Sequence, residues 1–247
     1  MVVLGARTSE GKSAFALQCA YEWSKEHKVI YMSMEMTRNE AMTRLYSYIT
    51  GNPNVDIFSG RHKEFEKETF RNALKTKLIF SEQYGKTIQE VESIIKDKLS
   101  HDKPDILILD YIQCIKTGRD TINDMNNYIR EMRKLAIEND MLIVLCSQIN
   151  RSILKDGGEP SMEGLKGTGF LEEHADKVLI FWYECKRDPA KDNTEFKVII
   201  AKNKMGLTGF VKLKFKPETY SFYEGSMVEG ESEHQKAVEE INTKWEE

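Results

Sequence analysis

The chain has 247 residues, 40% hydrophobic and 31% charged, with 15 Gly, 5 Pro and a formal net charge of -4 at pH 7. This balance suits one large globular core and excludes a wholly disordered, collagenous or disulfide-stapled protein. No apolar run approaches the ~18 residues of a membrane helix and no signal-like order opens the chain, so it reads as intracellular and cytoplasmic; the charge rules out a polybasic coat but not a few cations gathered where phosphates run.

In chain order, short apolar runs alternate with helical periodicity. Val2-Val3-Leu4 predicts a strand, Lys12 to Ser24 a helix, Val29 to Met32 a strand and Arg38 to Thr50 a helix. Leu78-Ile79-Phe80, a helix over Ile88 to Leu99, Ile106 to Leu109, a helix over Thr121 to Asn139, Leu142 to Leu145 and Val178 to Phe181 continue the pattern. Several strand runs are apolar at successive positions, as strands buried on both faces are, so a parallel sheet covered by helices is expected. Phe196 to Ala201 and Phe210 to Phe215 then read as an antiparallel hairpin joined by a basic, Gly-containing loop, Lys202 to Gly209. With no repeat, linker or composition break, residues 1–224 read as one domain and 225–247 as a charged tail or terminal helix. The four cysteines form neither a CxxC pair nor a cluster at zinc spacing and are expected to be reduced; the five histidines are scattered.

Gly5 to Ser13, Gly-Ala-Arg-Thr-Ser-Glu-Gly-Lys-Ser, lies between the first strand and the first helix. A phosphate chain needs converging backbone N–H groups, a helix N-terminus and a long cation, and Ala6, Arg7, Thr8, Ser9, Glu10, Gly11, Lys12 and Ser13 offer them. Gly11 permits the close turn, Lys12 reaches the outer phosphates and Ser13 supplies a hydroxyl for Mg²⁺. The strict phosphate-loop pattern asks for Gly where this chain has Ala6, and the same stretch also suits a plain strand-to-helix turn. Asp110 closes a buried strand, where a carboxylate organises Mg²⁺ through water or simply caps a turn. Glu35 follows the second strand and is placed either to activate water or to open a helix. Gln148, just past another strand, either contacts the terminal phosphate or is an ordinary polar strand end.

In series, Ala6 to Ser13, Ser33-Met34-Glu35-Met36, Leu109-Asp110-Tyr111-Ile112-Gln113 and Ser147-Gln148-Ile149-Asn150-Arg151 resemble the C-terminal RecA-like motor domain of DnaB-type replicative DNA helicases. The resemblance runs from Val2 to Phe215 through Leu165-Lys166-Gly167-Thr168-Gly169, Glu172, Ala175-Asp176 and Ala201 to Gly209, and Ala6 matches the family's own first loop position. It implies an α/β, RecA-like P-loop NTPase with a mostly parallel central sheet flanked by helices and a C-terminal antiparallel hairpin. It also implies ATP and Mg²⁺ as ligands, with Glu35 activating water, Lys12 and Ser13 on the phosphates and metal, Asp110 organising the metal and Gln148 sensing the γ-phosphate. The working form implied is a homo-hexameric ring around single-stranded DNA, driven by ATP hydrolysis to unwind duplex.

The same resemblance assigns Lys202 and Lys204 to a neighbouring subunit's nucleotide, although the family has Arg where this chain has Lys204. An ammonium is a flexible point charge where a guanidinium is a fork for two phosphate oxygens, so slow turnover is expected. Lys166, Gly167 and Gly169 match a loop that grips the DNA backbone, with Arg119, Arg151 and Lys155 as further cations, or they form a flexible surface loop. The family's N-terminal primase-binding domain and linker helix have no counterpart in this sequence, so primase or helicase-loader contacts would run through absent parts and ring assembly is expected to be weak. Two other readings are a nucleotide-regulated replication interaction module with slow hydrolysis and a RecA-type recombinase.

Overall fold

The computed structural model describes residues 1–61, 64–117, 121–149, 160, 162, 169–186, 188 and 190–224. Among these, β1 (Val2–Ala6), β2 (Val29–Ser33), β3 (Leu78–Glu82), β4 (Ile106–Asp110), β5 (Leu142–Gln148), β6 (Lys177–Trp182), β7 (Glu195–Asn203), β8 (Gly209–Lys216) and β9 (Ser221–Glu224) form one sheet in the order β3-β2-β4-β5-β1-β6-β7-β8-β9. The pairs from β3 to β6 are parallel and those from β6 to β9 antiparallel. The helices are α1 (Lys12–Ser24), α2 (Arg38–Thr50), α3 (Asn54–Phe58), α4 (Glu64–Ala73), α5 (Ile88–His101), α6 (Thr121–Glu138) and α7 (Gly169–His174).

The continuous apolar runs explain the centre. In β4, Leu107 and Leu109 point into a core with α5, α6 and α7, while Ile106 and Ile108 enter a second core with α1 and α2. All five β4 residues are buried, as expected where both faces are covered. Local signals fix the helix starts: Thr37 with Glu40 and Thr87 with Glu90 form reciprocal capping boxes at α2 and α5. Helix α1 is different. Its N-cap is Gly11 at φ 78° with no side-chain cap, so its first N–H groups are left for another acceptor.

The expected fold class holds, with four elements added: β9, α3, α4 and α7. The hairpin also differs in extent. Lys202, expected in the connecting loop, belongs to β7, which pairs with β6 as far as Asn203, so only residues 204–208 make the turn. Gly169, expected in a flexible glycine loop, opens α7. Lys166, Gly167, Thr168, Arg119, Arg151, Lys155 and the 225–247 tail lie outside the described residues.

Candidate active site

The parallel strands bring their carboxyl ends to one edge of the sheet, where ligands of open α/β sheets bind. Ala6 of β1 is in register with Gln148 of β5, and Ser33 of β2 with Asp110 of β4. Four segments distant in sequence thus deliver the phosphate loop, Gln148, Asp110 and Glu35 to one cleft of about 590 Å³.

The loop is pinned at both ends. Ile149 N donates to Ala6 O at 2.8 Å, Glu10 N to Arg7 O at 3.2 Å and Phe15 N to Gly11 O at 2.9 Å. Gly11 has no substitute here: its φ of 78° is left-handed, and a Cβ would stand 2.7 Å from Phe222 Cζ and 3.3 Å from Phe196 Cζ. Phe222 is in turn fixed by Gln18 of α1, whose Nε2 donates to Phe222 O and whose Oε1 accepts from Phe222 N, each at 2.8 Å. That side-chain amide serves β9 as a strand partner would.

Beneath the loop, Lys12 Nζ donates to Asp110 Oδ1, and the Tyr31 hydroxyl donates to Asp110 Oδ2 at 2.6 Å. Lys12 is 8% exposed and Asp110 3%. Burial favours the neutral carboxyl, but the Lys12 charge and the bonds from Lys12, Tyr31 and Ser13 outweigh it and hold Asp110 below the usual carboxylate range. For Lys12, burial favours the neutral amine, and the Asp110 carboxylate reverses this and raises its pKa. Burial, then the Asp110 charge, pushes the Tyr31 phenol and the Cys146 thiol well up, so Cys146 is an inert thiol in the core. Lys12 Nζ also lies 4.7 Å from the Tyr111 ring centroid.

Glu35 is exposed on a short loop held at both sides: Met34 N donates to Asp110 O at 2.7 Å, and Ser33 Oγ donates to Met36 O at 2.7 Å. Gln148 Nε2 donates to Thr8 Oγ1 at 2.5 Å, and Gln148 N donates to Gln113 Oε1 at 3.1 Å. Gln113 Nε2 reaches Ser147 Oγ at 2.7 Å, so one amide side chain ties the ends of β4 and β5 together.

Several lining residues escaped the sequence reading. Arg44 of α2 lies 5.2 Å from the Tyr220 ring centroid across the cleft, and Pro217, Phe215 and Tyr183 extend an apolar wall beside them. Lys186 Nζ donates to Ser9 O at 2.5 Å. No local motif marks these positions; only the antiparallel strands, folding back over α1, bring them to the loop.

Lys202 and Lys204 are not in this cleft. Asn203 pairs with Lys177 at the start of β6, which places the hairpin turn at the amino edge of the parallel sheet, opposite the loop. Lys202 Nζ donates to Glu172 O at 2.5 Å, and Lys204 Nζ lies 3.4 Å from Asp176 Oδ1, a carboxylate that Arg133 also engages.

The cleft's donors fit a triphosphate: uncapped N–H groups at α1, a left-handed glycine and a buried cation. They also fit Mg²⁺, which keeps several waters and asks for one or two protein oxygens beside the phosphates, here Ser13 and Asp110. No cluster of three or more His, Cys, Asp or Glu placed to hold a metal alone occurs among the described residues.

Comparison with known proteins agrees with this geometry. Residues 1–224 match the DnaB-like helicase C terminal domain. A probable plasmid replicative DNA helicase of Chlamydia muridarum is 26% identical over 230 residues, covering 90% of this chain and 50% of that protein. The replicative DNA helicase DnaB of Haemophilus influenzae is 25% identical over 229 residues, covering 87% and 49%. The chain thus spans about half the length of these relatives. Among solved structures, a helicase ATPase domain superposes with a TM-score of 0.81 at 24% identity, covering 91% of this chain and 84% of that one. A DnaB-like replicative helicase studied with primase gives 0.82 at 24%, covering 92% and 57%. With its RecA-like sheet, its phosphate loop and a match across all the described strands, the chain belongs to the DnaB-like helicase C-terminal domain family.

Proposed function

We propose that the chain is an ATP-hydrolysing motor that moves on single-stranded DNA and unwinds duplex DNA as a hexameric ring in the bacterial or phage-infected cytoplasm. The observation that carries this reading is the line of strand ends that sets the α1 N-terminus, Lys12, Asp110, Gln148 and Glu35 around one cleft. Lys12 and the α1 N–H groups bind the outer phosphates of ATP, and the Glu35 carboxylate accepts the proton of the attacking water. Gln148 contacts the terminal phosphate and is positioned by Gln113. Mg²⁺, when bound by Ser13 and Asp110, neutralises charge on the phosphates. The wall of Arg44, Tyr220, Pro217 and Tyr183 suits a flat base. Lys202 and Lys204 act on the nucleotide of the adjoining subunit, and Lys166, Gly167 and Gly169 grip the DNA backbone. Primase and loader contacts of the whole protein follow the relatives, one of which is a replicative helicase studied with primase.

The test is Mg²⁺-dependent ATP hydrolysis stimulated by single-stranded oligonucleotides. Glu35→Gln should lower kcat by ~10²–10⁴ with nucleotide affinity unchanged; a fully active variant would remove Glu35 from the reaction and the reading with it.

A second reading, a nucleotide-regulated replication module that hydrolyses slowly, is favoured by one observation. Lys204 stands where the family has an arginine and is ion-paired within its own chain. Single-turnover hydrolysis separates the two: Lys204→Arg should accelerate a damped motor, toward the ~10³-fold and more that a trans-acting arginine contributes. A rate indifferent to that change would favour the module.

A further inference from the structure

A second concavity, about 360 Å³, lies between α5 and α6 on the sheet face opposite α1. Its walls are two helical stripes: Gln89, Glu92 and Lys96 on α5, and Asn127, Tyr128 and Glu131 on α6, with Asp124 at one end. Three carboxylates and one ammonium give it a net negative charge. Lys96 Nζ reaches Glu131 Oε1 at 3.5 Å, but its side chain is 54% exposed, so it covers one end of the groove only loosely. Glu92 is the strained member. Burial raises its pKa and the nearby Glu131 carboxylate adds to the rise against the pull of Lys96.

An acidic groove alone would be a solvated surface. Tyr128 separates this one from that class. It lines the groove yet is 0% exposed, and its hydroxyl is buried with no hydrogen-bond partner. Burial, then the charge of Glu92, pushes its phenol up, so the hydroxyl sits beside that carboxylate. A buried polar group without a partner is costly, and native proteins keep one mainly where a ligand completes it. A bare divalent ion is a poor candidate, because no three metal-ligating side chains converge among the described residues. The acceptors are instead spread over two helices: carboxylates on both walls, side-chain amide oxygens of Gln89 and Asn127, and a phenolic oxygen in the floor. A planar group with several divergent donors matches that spread better than a point charge does.

We propose that the α5–α6 groove receives an arginine side chain of a partner protein, with its guanidinium between Glu92 and Glu131 and in reach of the Tyr128 hydroxyl. The proposal is independent of the nucleotide site. Its partner presents an exposed basic residue on a surface that lies along the two helices, and Lys96 moves aside when the guanidinium enters.

The test is NMR titration of the labelled full chain with acetyl-arginine amide, beside acetyl-lysine amide, spermidine and Mg²⁺. Saturable shifts should concentrate on residues 88–96 and 124–131, with arginine tighter than the other three probes. Glu92→Gln with Glu131→Gln, close in shape to wild type, should weaken arginine by about tenfold or more while nucleotide binding is unchanged. Tyr128→Phe removes only the lone hydroxyl, so it should keep or raise the melting temperature and still weaken arginine several-fold. Shifts that are absent, that persist in the double variant, or that are equal or larger with lysine, spermidine or Mg²⁺ would overturn the assignment, as would a Tyr128→Phe chain that binds arginine like wild type.

Discussion

Asp110 and Lys12 compensate each other in a place where neither would be tolerated alone, and this gives the pair a signature in pH. The Asp110 pKa is depressed, so its contribution to stability is present above the unfolded carboxylate value of about 3.9 and is lost as pH falls through the lower folded value. The Lys12 pKa is raised, so its contribution is complete below about 10.4 and is lost as pH rises through the higher folded value. Between those limits the pair adds a constant term. Asp110→Asn should cost about 3–5 kcal/mol at neutral pH, because a buried ammonium is left without its partner. The slope should also reverse: the variant should gain stability from pH 7 to pH 10, as Lys12 sheds its proton. Urea unfolding across that range checks the sign, and a variant that weakens with rising pH would refute the coupling. The roles of Lys12 and Asp110 were legible in sequence because each sits where an apolar strand stops. The Tyr31 bond was not: a tyrosine inside Val29-Ile30-Tyr31-Met32 looks like core, and only the pairing of β2 with β4 turns its hydroxyl into a clamp on Asp110.

At the scale of elements, the strands that are apolar at successive positions, β1 to β6, could be read directly, since burial on both faces writes itself into composition. The missing elements lack that signature. Helix α3 is a five-residue turn after Pro53 that leaves Val55 and Phe58 exposed, and β9 is four residues, Ser-Phe-Tyr-Glu, only two of them buried. Yet β9 matters more to the site than its length suggests. The Phe222 ring lies 5.4 Å from that of Phe15, 5.2 Å from Phe196 and 4.7 Å from Phe215, and it fills the space beside Gly11. Phe222→Ala should therefore cost ~3–5 kcal/mol, toward the lower end if the short edge strand collapses into the gap. It should also raise the KM for ATP through a loosened loop. Chemical denaturation and a nucleotide titration measure the two effects, and a destabilised variant with unaltered nucleotide affinity would show that the ring does not shape the loop.

For the molecule as a whole, sheet polarity decides which groups can meet. The phosphate loop leaves the carboxyl edge and the β7–β8 turn leaves the amino edge, so no chain can bring its own Lys202 to its own cleft without unpairing β6 from β7. If Lys202 serves catalysis, it does so across a subunit boundary. Specific activity should then rise with protein concentration, and mixing should distinguish shared sites from private ones. A Lys12→Ala chain has a defective cleft and a sound turn, and a Lys202→Ala chain has the reverse. Together they should hydrolyse ATP faster than the average of the two alone, whereas a strictly additive result would confine each site to one chain. The Gln18 amide that holds Phe222 has a consequence of its own for dividing this protein. The last catalytic side chain in the cleft is Gln148, but the segment that steadies the first loop ends some seventy positions further on. A fragment cut before Glu224 would retain the chemistry's side chains and forfeit the brace beneath them, so the functional border of the unit is set by a strand that touches no phosphate.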